Sequence, residues 1–67
     1  MNKYTEYTDA LRNRLQKLID TKNVTLYRVE MQTGVHRQII KSFLNGKGII
    51  YENGMALKTF VKNNMTK

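Results

Sequence analysis

A chain of 67 residues makes one domain at most and buries only about 60% of the surface its unfolded form exposes, which leaves little room for a buried active site. With no cysteine there are no disulfides, thiolate metal sites or thiol nucleophiles, so stability has to come from helix packing or self-association. Twelve Lys and Arg against five Asp and Glu give a net charge of +7, a field that draws nucleic acid first and suits an anionic membrane or an acidic protein by the same sign.

Proline is absent, and Gly34, Gly46, Gly48 and Gly54 divide the chain into helix-sized pieces. No run approaches the roughly 18 apolar residues of a membrane span, and the start at Met1 lacks the apolar core of a secretory signal, so a cytoplasmic protein is expected. The first helix is expected from about Thr8 to Lys22. Tyr4, Tyr7, Leu11, Leu15, Leu18 and Ile19 recur every three or four positions and form one apolar stripe. Thr5 or Thr8 can cap its start, while Asp9, Arg12, Asn13, Gln16, Lys17 and Asp20 stay solvated and Thr21-Lys22-Asn23 ends the pattern.

The second helix begins after Thr25, whose hydroxyl can accept from a first-turn amide, and stops at Gly34 with Leu26 and Val29 inward. The third runs from about His36 to Leu44. Val35, Ile39, Ile40, Phe43 and Leu44 form its apolar face, and Asn45-Gly46 supplies a left-handed stop. His36, Arg37, Gln38, Lys41 and Ser42 are left facing out. In the last segment Ile50, Met55, Leu57, Phe60 and Val61 are turned inward by a closing helix. Gly54 costs that helix roughly 1 kcal/mol, so it begins after Gly54 or carries a weak first turn. A frayed tail is expected over about 63–67. The expected architecture is all-α, a compact bundle of four to five short helices forming a single domain over residues 1–67.

Two short helices joined across one glycine, the second with an outer edge of hydrogen-bonding side chains, is the arrangement a DNA major groove admits. Between Thr25 and Gly46 the sequence resembles the lambda-repressor and Cro type of helix-turn-helix, the XRE-like group. Thr25, Val29, Gly34, Val35, Ile40 and Phe43 fall in register on that family's cap, turn and anchor positions, and Phe43-Leu44-Asn45-Gly46-Lys47 is similar to a common family ending. Two residues depart from the pattern. Glu30 stands where the family has a small residue, and must reach outward or pair with Arg12, Arg14 or Arg28, because burying it alone would cost several kcal/mol. Leu26 replaces a glutamine that touches phosphate, a contact that Tyr27 or Arg28 would have to supply.

The resemblance implies base contacts from His36, Arg37, Gln38, Lys41 and Ser42, and phosphate contacts from Thr25, Tyr27, Arg28, Asn45 and Lys47. Residue chemistry agrees: Arg37 can donate twice to guanine, Gln38 can pair with adenine, and the edge of Ile39 can meet a thymine methyl. Lys17 and Lys58 are weaker phosphate candidates. The bland alternative for Arg37, Gln38 and Lys41 is an ordinary solvated helix face; their place in the motif favours DNA.

Against an enzyme stand the lone histidine, the lack of a close acidic pair and the absence of a phosphate-cradling glycine loop. No catalytic residue, metal site or cofactor is expected. The four tyrosines suit half-buried packing better than a stacking platform.

The expected function is therefore sequence-specific binding of double-stranded DNA by a Cro-like transcriptional repressor or regulator of a phage or mobile element. Two copies would read a pseudo-palindromic operator with half-sites about one helical turn apart, dimerising through Phe60, Val61 and Met65. The alternative is a protein-protein interaction module on the same fold, such as an antirepressor or accessory subunit.

Overall fold

Leu11, Leu15 and Leu18 lie on one stripe of a helical period, and the helix they call for forms with all three at 4% exposure or less. In the computed structural model, which describes the backbone of residues 3–65 and the side chains of 7–64, four helices follow one another. They are α1 (Lys3–Lys22), α2 (Leu26–Thr33), α3 (Arg37–Leu44) and α4 (Tyr51–Met65), and there is no strand among the described residues. The fold is the all-α bundle expected from the apolar periodicity. None of the described helices is long and apolar enough to cross a membrane.

α1 starts well before the expected Thr8. Thr5 and Thr8 both lie inside it, and Thr8 is buried against the core, so neither is its cap. Asn23 ends it with φ at 54°, a left-handed residue that asparagine tolerates better than other side chains do. That conformation turns the chain so that Val24, absent from the predicted core, is buried before α2 begins.

The core joins Leu11, Leu15 and Leu18 of α1 to Val29 of α2, Ile40 and Phe43 of α3, and Leu57, Phe60 and Val61 of α4. Phe60 and Val61 are each 4% exposed. Both belong to the core, which leaves little of either for the dimer contact expected of them; the side chain of Met65, the third residue of that set, lies outside the described residues. The lysine-amide pairing at the far end adds a polar tie, with Lys22 Nζ donating to Asn64 O at 3.3 Å.

α4 begins at Tyr51, ahead of Gly54, which sits buried within its opening turns and donates its N–H to Ile50 O at 2.9 Å. Ile50 was expected inside, yet it is 63% exposed. Ile49 occupies the interior place instead, and the side chain of Ile50 consequently faces the other way as α4 begins. Tyr27 and Tyr51 are likewise exposed, so half-buried packing holds among the described tyrosine side chains only for Tyr7, whose hydroxyl meets Gly54 O at 3.5 Å.

Two glycine substitutions should move stability in opposite directions. A Cβ on Gly54 would stand 3.5 Å from Ile49 Cγ2, an ordinary contact, and the backbone there is helical. Gly54→Ala should therefore stabilise by up to about 1 kcal/mol in urea unfolding. Gly34, with φ at 81° and open space around it, is constrained by backbone alone. Gly34→Ala should cost about 1–2 kcal/mol. A loss at Gly54 would mean that the contact with α1 leaves no room for a methyl group.

Candidate nucleic-acid interface

The connection between α2 and α3 is built from local hydrogen bonds. Thr25 Oγ1 accepts from the Arg28 N–H at 3.1 Å, which caps α2 as its residue type calls for. At the other end Gly34 takes a left-handed conformation and donates its N–H to Glu30 O at 2.8 Å. The Thr33 hydroxyl then bridges helix and turn, donating to Val29 O at 2.7 Å and accepting from the Val35 N–H at 3.1 Å. Val35 is thereby drawn into the core, and His36 opens α3 with its Nδ1 accepting from the Gln38 N–H at 3.0 Å. In the neutral ring the proton then belongs on Nε2, which makes the free edge of His36 a donor.

The end of α3 is closed twice. Gly46, with φ at 103°, donates to Phe43 O at 3.1 Å, and Lys47 donates to Ser42 O at 3.0 Å, the paired bonds of a Schellman ending. Arg12 of α1 adds a second closure. Its Nε donates to Phe43 O, one Nη donates to Lys47 O at 3.1 Å, and the other meets Asp9 at 2.7 Å. The guanidinium also lies over the Phe43 ring, 4.7 Å from its centroid. Arg12 was expected on the solvated face of α1. It is instead a clamp, because the Phe43 carbonyl has a second lone pair to offer beside the Gly46 N–H, the Lys47 carbonyl lies just beyond the helix, and a planar fork can serve both together.

Held at both ends, α3 divides cleanly into two faces. Ile40 and Phe43 are fully buried, while His36, Arg37, Gln38, Lys41 and Ser42 are all exposed along the opposite edge. Ile39, assigned to the apolar face, is 41% exposed and borders that edge. Of the residues expected near phosphate, Thr25, Tyr27, Arg28, Asn45 and Lys47 are all exposed, with Asn45 and Lys47 directly at the end of α3. Arg28 also borders a hollow that Lys22 and Asn64 line, at the ends of α1 and α4. Lys58 belongs to another surface, its Nζ 5.5 Å from the centroid of the Tyr7 ring.

Glu30 departs from what the sequence led one to expect. Its partner is none of Arg12, Arg14 or Arg28 but Arg37, whose Nη1 stands 3.7 Å from Glu30 Oε1 across the α2–α3 turn. Arg12 is committed to the carbonyls of α3, so it is unavailable to the carboxylate. Arg37 also lies over the Tyr27 ring at 5.7 Å. Tyr27, Glu30 and Arg37 thus form one cluster at the start of the exposed edge. No group of three or more His, Asp or Glu side chains able to hold a metal ion occurs among the described residues.

Removal of the Arg12 fork should loosen α3 specifically. Arg12→Ala is expected to cost about 2–3 kcal/mol, since charged hydrogen bonds to partly buried carbonyls are lost. Arg12→Lys should recover less than half, because an ammonium cannot span both acceptors. Chemical unfolding gives the totals, and amide exchange over Lys41 to Lys47 should report the local loss; full recovery by lysine would reduce Arg12 to a simple charge. Comparison with protein-family models, curated proteins and solved structures finds no match to this chain, so what the exposed edge of α3 can bind follows from its own side chains.

Proposed function

We propose that the chain is a sequence-specific double-stranded DNA-binding protein, a transcriptional regulator of the Cro-like kind, and that α3 enters the major groove. One observation carries this reading. A short helix, set at its start by the Gly34 turn and the His36 cap and at its end by Gly46 and Arg12, turns an edge of Arg37, Gln38, Lys41 and Ser42 to solvent. Those side chains carry the donors and acceptors that distinguish bases in the major groove, and rigidity lets them be presented without a large ordering cost. Asn45 and Lys47, together with the start of α2, flank that edge where phosphates would run.

So small a module makes few base contacts, so binding by two copies to half-sites about one helical turn apart is part of the proposal. Contact between the copies would draw mainly on surface other than Phe60 and Val61, which are largely taken up by the monomer's own core.

A second reading, binding to a protein partner, is favoured by the groove between α1 and α4. Its floor is Tyr7, Ala10, Leu11 and Val61, and Arg14, Lys58 and Lys62 rim it. An acidic amphipathic segment would match that surface in both polarity and charge.

Titration of binding to a mixed-sequence duplex against salt separates the two readings. DNA binding predicts that log affinity falls steeply with log salt concentration, whereas indifference to DNA at low salt would leave the protein partner. Selection from a random duplex pool should then yield a symmetric site. On that site Arg37→Ala is expected to lose about 1–3 kcal/mol, with far less lost on mixed DNA, while Lys47→Ala weakens both alike. Equal losses from Arg37→Ala on the two duplexes would contradict base contact by that residue.

A further inference from the structure

We propose that Glu30 is a positioning residue for Arg37: it holds the guanidinium against the Tyr27 ring, aimed for base recognition and discouraged from indiscriminate contact with phosphate. The inference rests on the DNA-binding reading and names what sets its specificity. Three features of the cluster carry it.

The first is the state of the carboxylate. Glu30 Oε1 is buried and has no hydrogen-bond partner, and the nearest cation is Arg37 at 3.7 Å. The Glu30 side chain is 27% exposed as a whole, so it is this one oxygen that depends on Arg37 for compensation of its charge. At 3.7 Å the attraction is that of charge at a distance, without the short bonds that would lock the pair. Arg37 is therefore guided and can still be given up to a stronger acceptor.

The second is the position of Arg37. It is the first residue of α3, at the positive end of the helix dipole, and neither α2 nor α3 has an acidic residue in its first turn. A cation is disfavoured there, and the side chain would otherwise sweep a wide arc over the surface. The carboxylate on α2 offsets the dipole from across the turn.

The third is the ring. Tyr27 is 58% exposed, and its face lies 5.7 Å from the Arg37 guanidinium. The ring face attracts the cation, and the carboxylate draws it toward α2, so the two together limit the arc the guanidinium can sweep. About half of the Arg37 side chain remains exposed, so the group stays accessible.

The consequence for binding has two parts. A base edge able to accept two bonds meets a fork already oriented. A phosphate arriving at the same place meets a negative charge beside the arginine, which penalises binding that reads no sequence.

The experiment measures equilibrium binding of wild type, Glu30→Gln, Arg37→Ala and the double variant to the selected duplex and to a mixed-sequence duplex. Glutamine keeps the volume and removes the charge. Glu30→Gln should tighten mixed-duplex binding by about three- to tenfold and steepen its salt slope by about 0.9, as expected for about one more uncompensated cation. The ratio of selected to mixed affinity should fall by about tenfold, one part of the range expected for a base-reading arginine. In the Arg37→Ala background the same substitution should leave that ratio unchanged, because the residue it acts through is gone.

A readout without DNA accompanies these: ¹⁵N relaxation of the Arg37 Nε–H should show a restrained side chain in wild type and a mobile one in Glu30→Gln. Glu30→Ala serves if the glutamine variant does not fold. An unchanged ratio, an equal effect in the Arg37→Ala background, or an Arg37 side chain equally mobile in both proteins overturns the inference and leaves DNA binding standing. Failure of wild type to bind either duplex at low salt overturns the DNA-binding reading and the role of Glu30 with it.

Discussion

The fork of Arg12 on the end of α3 is the contact on which the exposed surface depends. α3 spans Arg37–Leu44, far too short to persist as a helix in water on its own. Ile40 and Phe43 bury its inner face, but burial alone fixes depth better than it fixes rotation or tilt. Arg12 supplies the missing restraint by reaching carbonyls at Phe43 and Lys47 and covering the Phe43 ring. It ties α1, the longest helix, to the last turn of α3. The guanidinium also sits at the negative end of the α3 dipole, so its charge and its hydrogen bonds act in the same direction.

The opposite end of α3 is arranged by contrary means. Capping there is left to His36, and the first helical residue carries a positive charge that the dipole disfavours. Glu30 lies close enough to offset that charge, yet its own Oε1 remains without a hydrogen bond. The two ends therefore differ in what they are optimised for. The Arg12 end is saturated with bonds and fixed in place, while the Glu30 end retains unsatisfied polarity next to an exposed arginine.

Much of this organisation was legible because it follows from short-range rules. Thr25 caps, Gly34 and Gly46 take positive φ, and Ile40 and Phe43 point inward, all from residue type and helical period. What escaped was long-range or two-sided. Arg12 looked solvated because its carbonyl partners lie at least 31 positions away and no periodicity reports them. Glu30 was expected to reach outward or to pair with a cation such as Arg12, Arg14 or Arg28, and Arg37 was missed because the turn geometry that brings it beside Glu30 exists only after α2 and α3 have packed. Phe60 and Val61 show a different limit: an apolar pair in a terminal helix fits a core and an interface equally, and only burial distinguishes them. Ile49 and Ile50 are adjacent and chemically identical, so which one turns inward is decided by how the chain enters α4.

Charge by itself singles out no face of this molecule. Arg14, Lys58 and Lys62 rim the α1–α4 groove, Lys22 and Arg28 line the hollow at the far end, and Arg37, Lys41 and Lys47 lie along α3 and its end. A polyanion drawn by the net charge of +7 would be attracted from many directions, with little to choose between them. What sets α3 apart is the company its cations keep. Gln38 and Ser42 stand among them as exposed neutral hydrogen-bonding groups, on a backbone restrained at both ends, with a carboxylate 3.7 Å from the leading arginine. If the partner is a duplex, attraction would bring it to the surface, and only an edge that also contains directional, rigidly held groups could prefer one sequence over another once it arrived.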